Sequence, residues 1–468
     1  MTVPASVAAR NIHNASDREA VQARSFVARK MDEFSGKDCT AVVTIPAPLT
    51  SLEAVLGRDN GELGVLWSPA DGEKFVGLGS AHRIELEGAD RFEQLREEVA
   101  SIHQRIEVVA YPGTTAPTPR FFGGLAFAAG LSSEPPWTDF GDGGFTLPRW
   151  TYCQQGDRAW LSVAFHGEEV GIPAVRDTML GQLTHLYSTA ASPEQEQTIT
   201  MPQQRNSQQM SLQEWRVLVD AIRRTITTGQ FDKIVVARRT VVELNAAIRD
   251  VDVLRRFPST KPIIRFAFRR GGRTFLGATP ERLITKHGMQ VGSDALAGSV
   301  DTGREGALLA SRKDREEQSI VVRDIVAALQ PRCGRLSYPV APVISILSHV
   351  AHLHTPIEGE LDQPAHVLDL VEDLHPTSAV GGAPSADAVA WIAHHEKDSR
   401  GWYAGPVGWF DVNGDGEFAV ALRSGVLDGS RAYLYAGAGI VRGSDPDKEY
   451  AETTFKQRSF LHGLGVAP

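Results

Sequence analysis

The chain has 468 residues, of which 42% are hydrophobic and 22% are charged, so it can bury a large core like an ordinary globular protein. Its formal net charge of −9 argues against nucleic acid or an anionic membrane as a partner, because both need a basic face. Three isolated cysteines argue against structural disulfides. We expect a cytoplasmic protein, since no secretory signal opens the chain and no apolar run could span a bilayer.

Residues 1–200 predict mixed strands and helices without recognisable chemistry. Apolar residues at helical spacing indicate a helix over 89–106, and TYCQQGDRAWLSVAFHG indicates a β-hairpin. Residues 190–210 are rich in Gln, Ser and Pro, which is typical of an exposed connection. We therefore divide the chain into a first half, 1–200, and a second part, 208–468, that carries nearly all the candidate chemistry.

A lysine opens the first buried strand of the second part. SLQEWRVLVDAIRRTITTG predicts a helix capped by Ser211, and FDKIVVAR predicts the strand that follows, with Lys233 at its start. A lone lysine in such a place usually extends to solvent. The alternative is a desolvated lysine that acts as a base. These residues alone leave both interpretations open.

Further carboxylates and a glycine-rich segment follow along the chain. Glu281 comes after a proline at a predicted turn and, read alone, is a surface carboxylate. SDALAGSVDTG is small and glycine-rich, so its backbone N–H groups can approach an anion. Residues 303–330 predict one long helix with Asp314 and Glu317 on the same face. Such a pair is usually solvated charge, and a metal site is the alternative.

The last quarter of the chain adds an arginine and a charged helix. EFAVALRSGVL predicts a strand that buries Arg423, and a buried guanidinium needs an anion such as a carboxylate. SDPDKEYAETTFK predicts a helix on which Glu449, Glu452 and Lys456 share one face. A surface ion pair is one interpretation. The glycine-rich strands and Arg423 nearby favour a Mg²⁺ and carboxylate site, because Mg²⁺ prefers oxygen ligands.

In this order, the motifs of residues 210–460 resemble those of the chorismate-utilising enzymes, and within them the isochorismate synthases. The matching segments include FDKIVVAR, FLGATPERL, ALAGS, SRKDREE, HLHTPIEG, LHPTSAVGG, RGWYAGPVG, ALRS and YAGAGIVRGSDPDKEYAETTFK. The resemblance implies an α+β fold like that of anthranilate synthase component I. Large antiparallel β-sheets pack face to face in that fold with helices on the outside, and the first half completes the sheets.

The resemblance also implies a reaction and a set of site residues. Chorismate would become isochorismate, with Mg²⁺ bound, by addition of water at C2 and loss of the C4 hydroxyl. This exchange needs a base and an acid, and Lys233 matches the family's base and Glu281 its general acid. The implied metal ligands are Glu317 and Glu452, with Asp314 and Glu449 direct or through waters. The implied substrate-binding residues are Gly298, Ser299, His352, Ala379, Tyr403, Arg423, Gly437, Gly439 and Lys456.

Two alanines narrow the expected product. Ala379 stands where anthranilate and salicylate synthases carry threonine, and Ala297 stands where aminodeoxychorismate synthase has a nucleophilic lysine. Both favour an enzyme that stops at isochorismate, most similar to the menaquinone-type synthases. Two departures from the family pattern are expected beside the site and could tune the product: Gln318, which follows Glu317, replaces a common histidine, and Ser378, which precedes Ala379, replaces the usual proline.

Two other functions stay open at this point. A salicylate synthase would also eliminate pyruvate, and a catalytically silent relative would bind chorismate only as a regulatory protein. The sequence does not distinguish menaquinone, siderophore and salicylate pathways. We expect the partner to be the small molecule chorismate and the protein to be a monomer or a weak homo-oligomer.

Overall fold

A computed structural model of the chain describes residues 5–58, 61, 63–115, 117–130, 132–191, 201–260, 262–347 and 350–466. The strands in these ranges are β1 (Thr40–Ala47), β2 (Gly64–Pro69), β3 (Lys74–Leu78), β4 (His82–Leu86), β5 (Ile106–Ala110), β6 (Arg120–Leu125), β7 (Gly143–Leu147), β8 (Trp150–Gln155), β9 (Arg158–His166), β10 (Gln204–Gln209), β11 (Lys233–Leu244), β12 (Ile264–Arg270), β13 (Arg273–Thr279), β14 (Arg282–His287), β15 (Gln290–Asp301), β16 (Cys333–Ser337), β17 (Val343–Leu347), β18 (Val350–Leu361), β19 (Gly382–Ala383), β20 (Pro406–Asp411), β21 (Gly416–Val420), β22 (Ser424–Asp428) and β23 (Arg431–Ile440).

The helices in the same ranges are α1 (Ala5–Phe34), α2 (Leu52–Leu56), α3 (Arg91–His103), α4 (Pro173–Ala191), α5 (Leu212–Thr227), α6 (Asp250–Leu254), α7 (Glu305–Ala310), α8 (Arg312–Leu329), α9 (Val367–Leu374), α10 (Ser385–His395) and α11 (Pro446–Leu464). A short 3₁₀ helix covers Glu169–Gly171. Within the described part of the chain, no helix is both long and apolar enough to cross a bilayer.

Two large sheets form the frame of the molecule. The first has 13 strands in the order β10-β11-β23-β22-β13-β12-β2-β3-β8-β9-β1-β5, with β19 added beside β11. The second has 10 strands in the order β16-β18-β15-β14-β21-β20-β6-β7-β4, with β17 added beside β18. Among the described strands, neighbours are antiparallel except for the pair β1 and β5. The α+β class with large antiparallel sheets is therefore confirmed.

Both sheets contain strands from both halves of the chain. In the first sheet β2 pairs with β12, and in the second sheet β6 pairs with β20. The pairing of β2 and β12 continues over six residues, from Gly64–Arg269 to Pro69–Ile264. A strand from before residue 200 thus supplies backbone hydrogen bonds to a strand from after residue 208 in each sheet.

Alternating side chains bury both faces of the first sheet. Along β2, Val65 and Trp67 belong to the core that also contains side chains of the second sheet, whereas Leu66 faces a separate core with the outer helices. Phe75 of the first sheet meets Phe122 of the second, with ring centroids 5.5 Å apart. The two sheets therefore pack face to face, and helices such as α1 and α4 cover the outer side.

Local structure differs from the expected elements in two places near the site. The helix expected over 303–330 is two helices, because Ser311 has an extended backbone and its hydroxyl accepts a hydrogen bond from the Asp314 N–H. The strand expected across Arg423 is also broken: Arg423 lies between β21 and β22 with φ of 51°.

The expected connection at 190–210 is only partly described. Residues 192–200 lie outside the described part of the chain. Residues 204–209 form the exposed edge strand β10 instead of a loop, because they pair with β11. The hairpin expected over residues 151–167 is confirmed by β8 and β9, and the helix expected over 89–106 is confirmed by α3.

Candidate active site

One pocket collects most of the residues that the sequence singled out. It is formed by the facing strands β11, β15 and β23, the turn after β13, the segment after α9 and the inner faces of α8 and α11. The predicted residues that line it are Glu281, Gly298, Glu317, His352, Ala379, Tyr403, Arg423, Gly437, Gly439, Glu452 and Lys456. The side chain of Ser299 lies outside the described part of the chain.

Lys233 does not extend to solvent. Its residue surface is 1% exposed, and its Nζ lies 3.0 Å from Oε1 of Glu317. Gly439 leaves the space for this pair: a Cβ at position 439 would lie 2.5 Å from Glu317 Oε1 and 2.7 Å from Lys233 Cε. The structure therefore favours the interpretation of Lys233 as a desolvated lysine over that of a lysine that extends to solvent. Glycine at position 439 is needed because the Lys233 and Glu317 side chains pass close to its backbone.

Glu281 is a buried acid held at the turn between β13 and β14. Its N–H donates to the hydroxyl of Thr279 at 3.3 Å, and its carbonyl accepts from the N–H of Val420 at 3.0 Å. Burial raises the pKa of its carboxyl to about 8, although the positive charges of Lys233 and Lys456 oppose the shift. Glu281 is therefore protonated at neutral pH, as a general acid must be.

Arg423 presents a cation to the pocket from a left-handed backbone conformation. One guanidinium N–H donates to the backbone carbonyl of Lys456 at 3.2 Å. Burial lowers the pKa of the guanidinium, although Tyr403 and Glu452 oppose that shift. Arginine keeps its charge in proteins because its ordinary pKa lies far above neutral. Among the described residues it has no carboxylate within ion-pair distance, which leaves it available to an anionic ligand.

Helix α11 brings an amine and a carboxylate to the pocket wall. Nζ of Lys456 lies 2.7 Å from Oε1 of Glu452 and donates to the carbonyl of Gly437 at 2.9 Å. Burial alone would raise the pKa of Glu452, but Lys456 and other nearby cations outweigh it and lower that pKa. Glu452 is therefore a carboxylate at neutral pH.

Glu449, on the same helix, lies deeper than the pocket wall. It is 2% exposed and its Oε1 is 2.6 Å from Nζ of Lys313. Burial raises the pKa of its carboxyl, and the neighbouring Glu452 adds to the shift while Lys313 opposes it. Asp314 also stays off the pocket wall, behind Gly298, whose added Cβ would lie 3.2 Å from Asp314 Cβ.

The four predicted metal ligands nevertheless form one electrostatic cluster. Burial raises the pKa of Asp314, and the charges of Glu317 and Glu452 contribute to that shift. Three lysines each pair with one of the glutamates in this cluster: Lys233, Lys313 and Lys456. Within the described ranges, no group of three or more His, Cys, Asp or Glu side chains converges closely enough to hold a metal unaided.

Two neutral side chains complete the polar lining. His352 lies with its Nδ1 2.8 Å from the carbonyl of Gly298, so Nδ1 carries the proton that is donated. Burial lowers the pKa of His352 to about 3, and Arg423 adds to the shift, so the ring is neutral. Tyr403 stacks on Tyr435 with centroids 5.2 Å apart, and burial raises the pKa of Tyr403 to about 12.

Sequence reasoning missed three polar residues of the site: Arg400, Tyr435 and Lys313. Arg400 lines the pocket and donates to the carbonyls of Val235 and Val380, each at 2.8 Å. Tyr435 could have been found, because it precedes Gly437 and Gly439 at a spacing of two along one strand and so faces the same way. Lys313 lies beside the predicted acids, but no local pattern showed its pairing with another helix.

The two departures noted in the sequence fall outside the pocket lining. Gln318 is buried, and its amide donates to the carbonyl of Ala295 and the hydroxyl of Thr355, both at 3.0 Å. It therefore fastens α8 to β15 and β18. Ser378 is buried beside Ala379 but lines a neighbouring cavity.

Comparisons with known proteins agree with this site and fold. The profile of the chorismate binding enzyme family matches residues 31–465. The chain is 32% identical over 421 residues to isochorismate synthase MenF of Bacillus subtilis (strain 168), covering 85% of this chain and 87% of the relative. It is 32% identical over 433 residues to the salicylate biosynthesis isochorismate synthase of Pseudomonas aeruginosa, covering 90% of this chain and 88% of the relative.

Solved structures share the architecture. The structure of MenF, the menaquinone-specific isochorismate synthase from Escherichia coli, matches with a TM-score of 0.75 at 25% identity and covers 95% of this chain and 100% of that one. Anthranilate synthase component I from Streptococcus pneumoniae matches with a TM-score of 0.66 at 19% identity, covering 86% and 92% of the two chains, and shows the common fold.

Proposed function

This chain belongs to the chorismate-binding enzyme family, and we propose on that premise that it is an isochorismate synthase, an isomerase that converts chorismate to isochorismate. Relatives that span most of the chain carry that activity in their names. The observation that carries the proposal is that buried Lys233, paired with Glu317 of the pocket wall, lies close enough to buried, protonated Glu281 for its charge to act on that carboxyl. A hydration that expels a hydroxyl needs such a base and acid together.

The pocket offers cations and N–H groups to the two carboxylates of chorismate. Arg423, with no carboxylate partner among the described residues, would hold the pyruvyl carboxylate through a bidentate contact. The backbone at Gly437 and Gly439 lines the same wall and would support it. Lys456, already at the wall, would add positive charge near the ring carboxylate. These contacts would fix the ring between the acid and the base.

Lys233 and Glu281 would then share the proton transfers. Lys233 would take a proton from a water molecule as the water oxygen bonds to C2. The ring double bonds would shift, and the C4–O bond would break as Glu281 gives its proton to the departing hydroxyl. One water is consumed and one is released, so the net reaction is an isomerisation. Transfer of the Lys233 proton back to Glu281 would restore both groups.

The carboxylate cluster fits Mg²⁺, which we propose as the cofactor. Its donors are oxygens only, and Mg²⁺ is usually bound by one or two carboxylates together with waters and substrate. Glu317 and Glu452 line the pocket and would bind it directly, whereas Asp314 and Glu449 lie behind and would act through water. Bound Mg²⁺ would supply positive charge that orients and polarises the ring carboxylate.

The alternatives have less support. For a salicylate synthase, the pocket wall would be expected to carry threonine at position 379, where this chain has the methyl group of Ala379. In a silent regulatory protein, the burial of Lys233 and Glu281 would destabilise the fold through desolvation and serve no catalytic purpose. Isochorismate synthase is therefore the better account of both positions.

We also propose the setting in which the enzyme acts. The first half, 1–200, completes the sheets of the same folding unit as 208–468, and the Trp137 indole N–H donates to the Tyr435 hydroxyl at 3.0 Å beneath the pocket. The partner is the small molecule chorismate. We expect a monomer or weak homo-oligomer in the cytoplasm, and light scattering of the purified protein would test the oligomeric state.

Turnover of chorismate by the purified protein tests the function. With Mg²⁺ we expect isochorismate as the product, and removal of the metal with EDTA should abolish turnover until Mg²⁺ is restored. Accumulation of salicylate and pyruvate would support the salicylate synthase instead. No turnover by a folded, Mg²⁺-supplied protein would contradict the proposed function.

A further inference from the structure

Three lysines pair with glutamates of the proposed Mg²⁺ site, whose four acids are Asp314, Glu317, Glu449 and Glu452. The proposed reaction uses two of these lysines: Lys233 is the base, and Lys456 holds substrate charge. Lys313 has neither role, although its Nζ lies 2.6 Å from Oε1 of Glu449. Its place at the metal site therefore calls for a function other than proton transfer or substrate binding.

Lys313 joins the two helices that carry the four acids. It lies in the first turn of α8, beside Asp314 and one turn before Glu317. Glu449 and Glu452 lie on α11. The ion pair of Lys313 with Glu449 crosses from α8 to α11. The lysine is therefore placed where carboxylates from two helices come together.

The charge of Lys313 acts on the acids of both helices. Burial would lower the pKa of Lys313, but the charges of Glu449, Glu317 and Glu452 outweigh burial and raise that pKa. Burial raises the pKa of Asp314, and the charge of Lys313 opposes that shift. Lys313 is therefore a cation at neutral pH, and its ammonium offsets the repulsion among the four acids.

Lys313 is also the lysine that can most readily leave the site. Its side chain is 33% exposed, whereas that of Lys233 is 1% exposed. Nζ of Lys456 has a second acceptor in the carbonyl of Gly437, whereas Lys313 donates only to Glu449 among the described residues. A lysine readily extends its ammonium into water while its stem stays packed. One hydrogen bond has to break for Lys313 to do so.

Mg²⁺ and the ammonium of Lys313 would compete for the same carboxylates. Mg²⁺ carries two positive charges and prefers oxygen ligands. Two cations held by one set of acids also repel each other, and this repulsion is strong where little water screens it. Binding of Mg²⁺ is therefore easier once the ammonium has left, and the ammonium protects the acids from mutual repulsion while no metal is bound.

We propose that Lys313 is a displaceable counter-cation of the Mg²⁺ site. Its ammonium holds the four acids together while no metal is bound and extends into solvent when Mg²⁺ enters. Mg²⁺ usually keeps several waters, and these would donate to Glu449 in place of the lysine. No covalent bond changes, and the lysine keeps its proton. Mg²⁺ affinity is thereby set below the value that the acids alone would give. This role rests on the proposed Mg²⁺-dependent function.

Calorimetric titration of the full chain with MgCl₂, without chorismate, tests this role. Lys313→Met removes the charge, and methionine suits a helix. We expect Lys313→Met to bind Mg²⁺ roughly fivefold or more tightly than the wild type, because no ammonium competes for the acids. Arg315→Met is the matched control, since it removes an equal charge from an exposed position on α8. Its Kd for Mg²⁺ should stay within about twofold of the wild-type value, because water and salt screen that charge.

Thermal unfolding gives a second test that does not depend on the fitted affinity. Without Mg²⁺ we expect a lower Tm for Lys313→Met than for the wild type, because buried Glu449 loses its partner. Saturating Mg²⁺ should remove most of that difference, since the metal supplies the missing charge and binds the folded state. If Lys313→Met does not fold without metal, Mg²⁺ should restore its fold.

Two results would overturn the role of Lys313. One is a Kd for Mg²⁺ in Lys313→Met that equals or exceeds the wild-type value, and the other is a deficit in Tm that saturating Mg²⁺ leaves in place. Either result leaves the proposed function intact, because wild-type turnover of chorismate measures that function separately. Wild-type protein that binds no Mg²⁺ in the titration would overturn the metal site and the counter-cation together. Wild-type protein that makes no isochorismate would contradict the proposed function.

Discussion

At the scale of single residues, the proposed reaction depends most on the protonated state of Glu281. The residue is 6% exposed, and burial raises the pKa of its carboxyl to about 8. A general acid is active while its carboxyl is protonated, below its pKa. As the pH rises through that pKa, the carboxyl loses its proton and the activity falls. We therefore expect kcat/KM to be level near neutral pH and to fall above about pH 8, as a pH–rate profile would measure.

The variant Glu281→Gln tests whether Glu281 causes the fall in kcat/KM at alkaline pH. We expect it to lower kcat by roughly a hundredfold or more, because general acid catalysis is removed, while Mg²⁺-dependent binding of chorismate persists. Glu316→Gln, an exposed change on α8, is the control. Near wild-type kcat in Glu281→Gln, or an unchanged alkaline limb, would show that another group is the acid.

Gly439 offers a second test at this scale. The Cβ in Gly439→Ala would lie 2.5 Å from Oε1 of Glu317 and 2.7 Å from Cε of Lys233, so the pair must move apart. We expect kcat to fall roughly tenfold or more with the fold retained. Gly443→Ala is the control, because nothing lies within 4 Å of its added Cβ. Equal kinetics for the two variants would mean that the position of Lys233 is not critical.

The sequence predicted the roles of some single residues and missed the contacts of others. Lys233 and Glu281 look like surface charges when each is considered alone, and only the ordered motifs around them indicated catalytic use. Their burial depends on contacts with distant segments, such as Glu317 on α8. The pairing of Lys313 with Glu449 could not be predicted, because it joins two helices 136 residues apart in sequence.

At the scale of elements, helix α11 holds the charged side chain of Lys456 in a fixed place at the pocket wall. Nζ of Lys456 is held between Glu452 and the carbonyl of Gly437. We expect Lys456→Met to raise the KM for chorismate by roughly tenfold or more with a smaller change in kcat, because the lysine binds charge and transfers no proton. Lys448→Met, exposed on the same helix, should match the wild type in steady-state kinetics. An unchanged KM in Lys456→Met would contradict the role.

Regular elements with strong local patterns were predictable, and their interruptions were not. The buried strand β11 and the helix α11 follow from apolar runs and an Asp-Pro start. The break at Ser311 depends on a hydroxyl competing for the Asp314 N–H, which the long helical pattern concealed. The left-handed φ of Arg423 is maintained by tertiary contacts, and alternation alone gave no sign of it.

At the scale of the whole molecule, strand order was beyond local reasoning. The pairing of β2 with β12 joins residues about 200 positions apart, and no turn or periodicity specifies it. The family resemblance supplied the expectation of two packed sheets. The alternation of apolar and polar residues along a strand predicts which side chains are buried. It does not predict which strands lie next to each other in the sheet.

The shared sheets lead to a prediction for unfolding. Because β2–β12 and β6–β20 join the two halves in both sheets, we expect 1–200 and 208–468 to unfold as one cooperative unit. Differential scanning calorimetry should show a single transition for the full chain. Two well-separated transitions would contradict a single folding unit.

In the proposed reaction, this protein adds water at C2 of chorismate and expels the C4 hydroxyl. The direct measurement is the initial turnover of chorismate with Mg²⁺ in ¹⁸O-labelled water, with the product analysed by mass spectrometry. We expect the wild type to form isochorismate that carries one solvent oxygen at C2, and we expect this product to be lost in Lys233→Met. Isochorismate without solvent oxygen, or no isochorismate from folded wild-type protein, would contradict the proposed reaction.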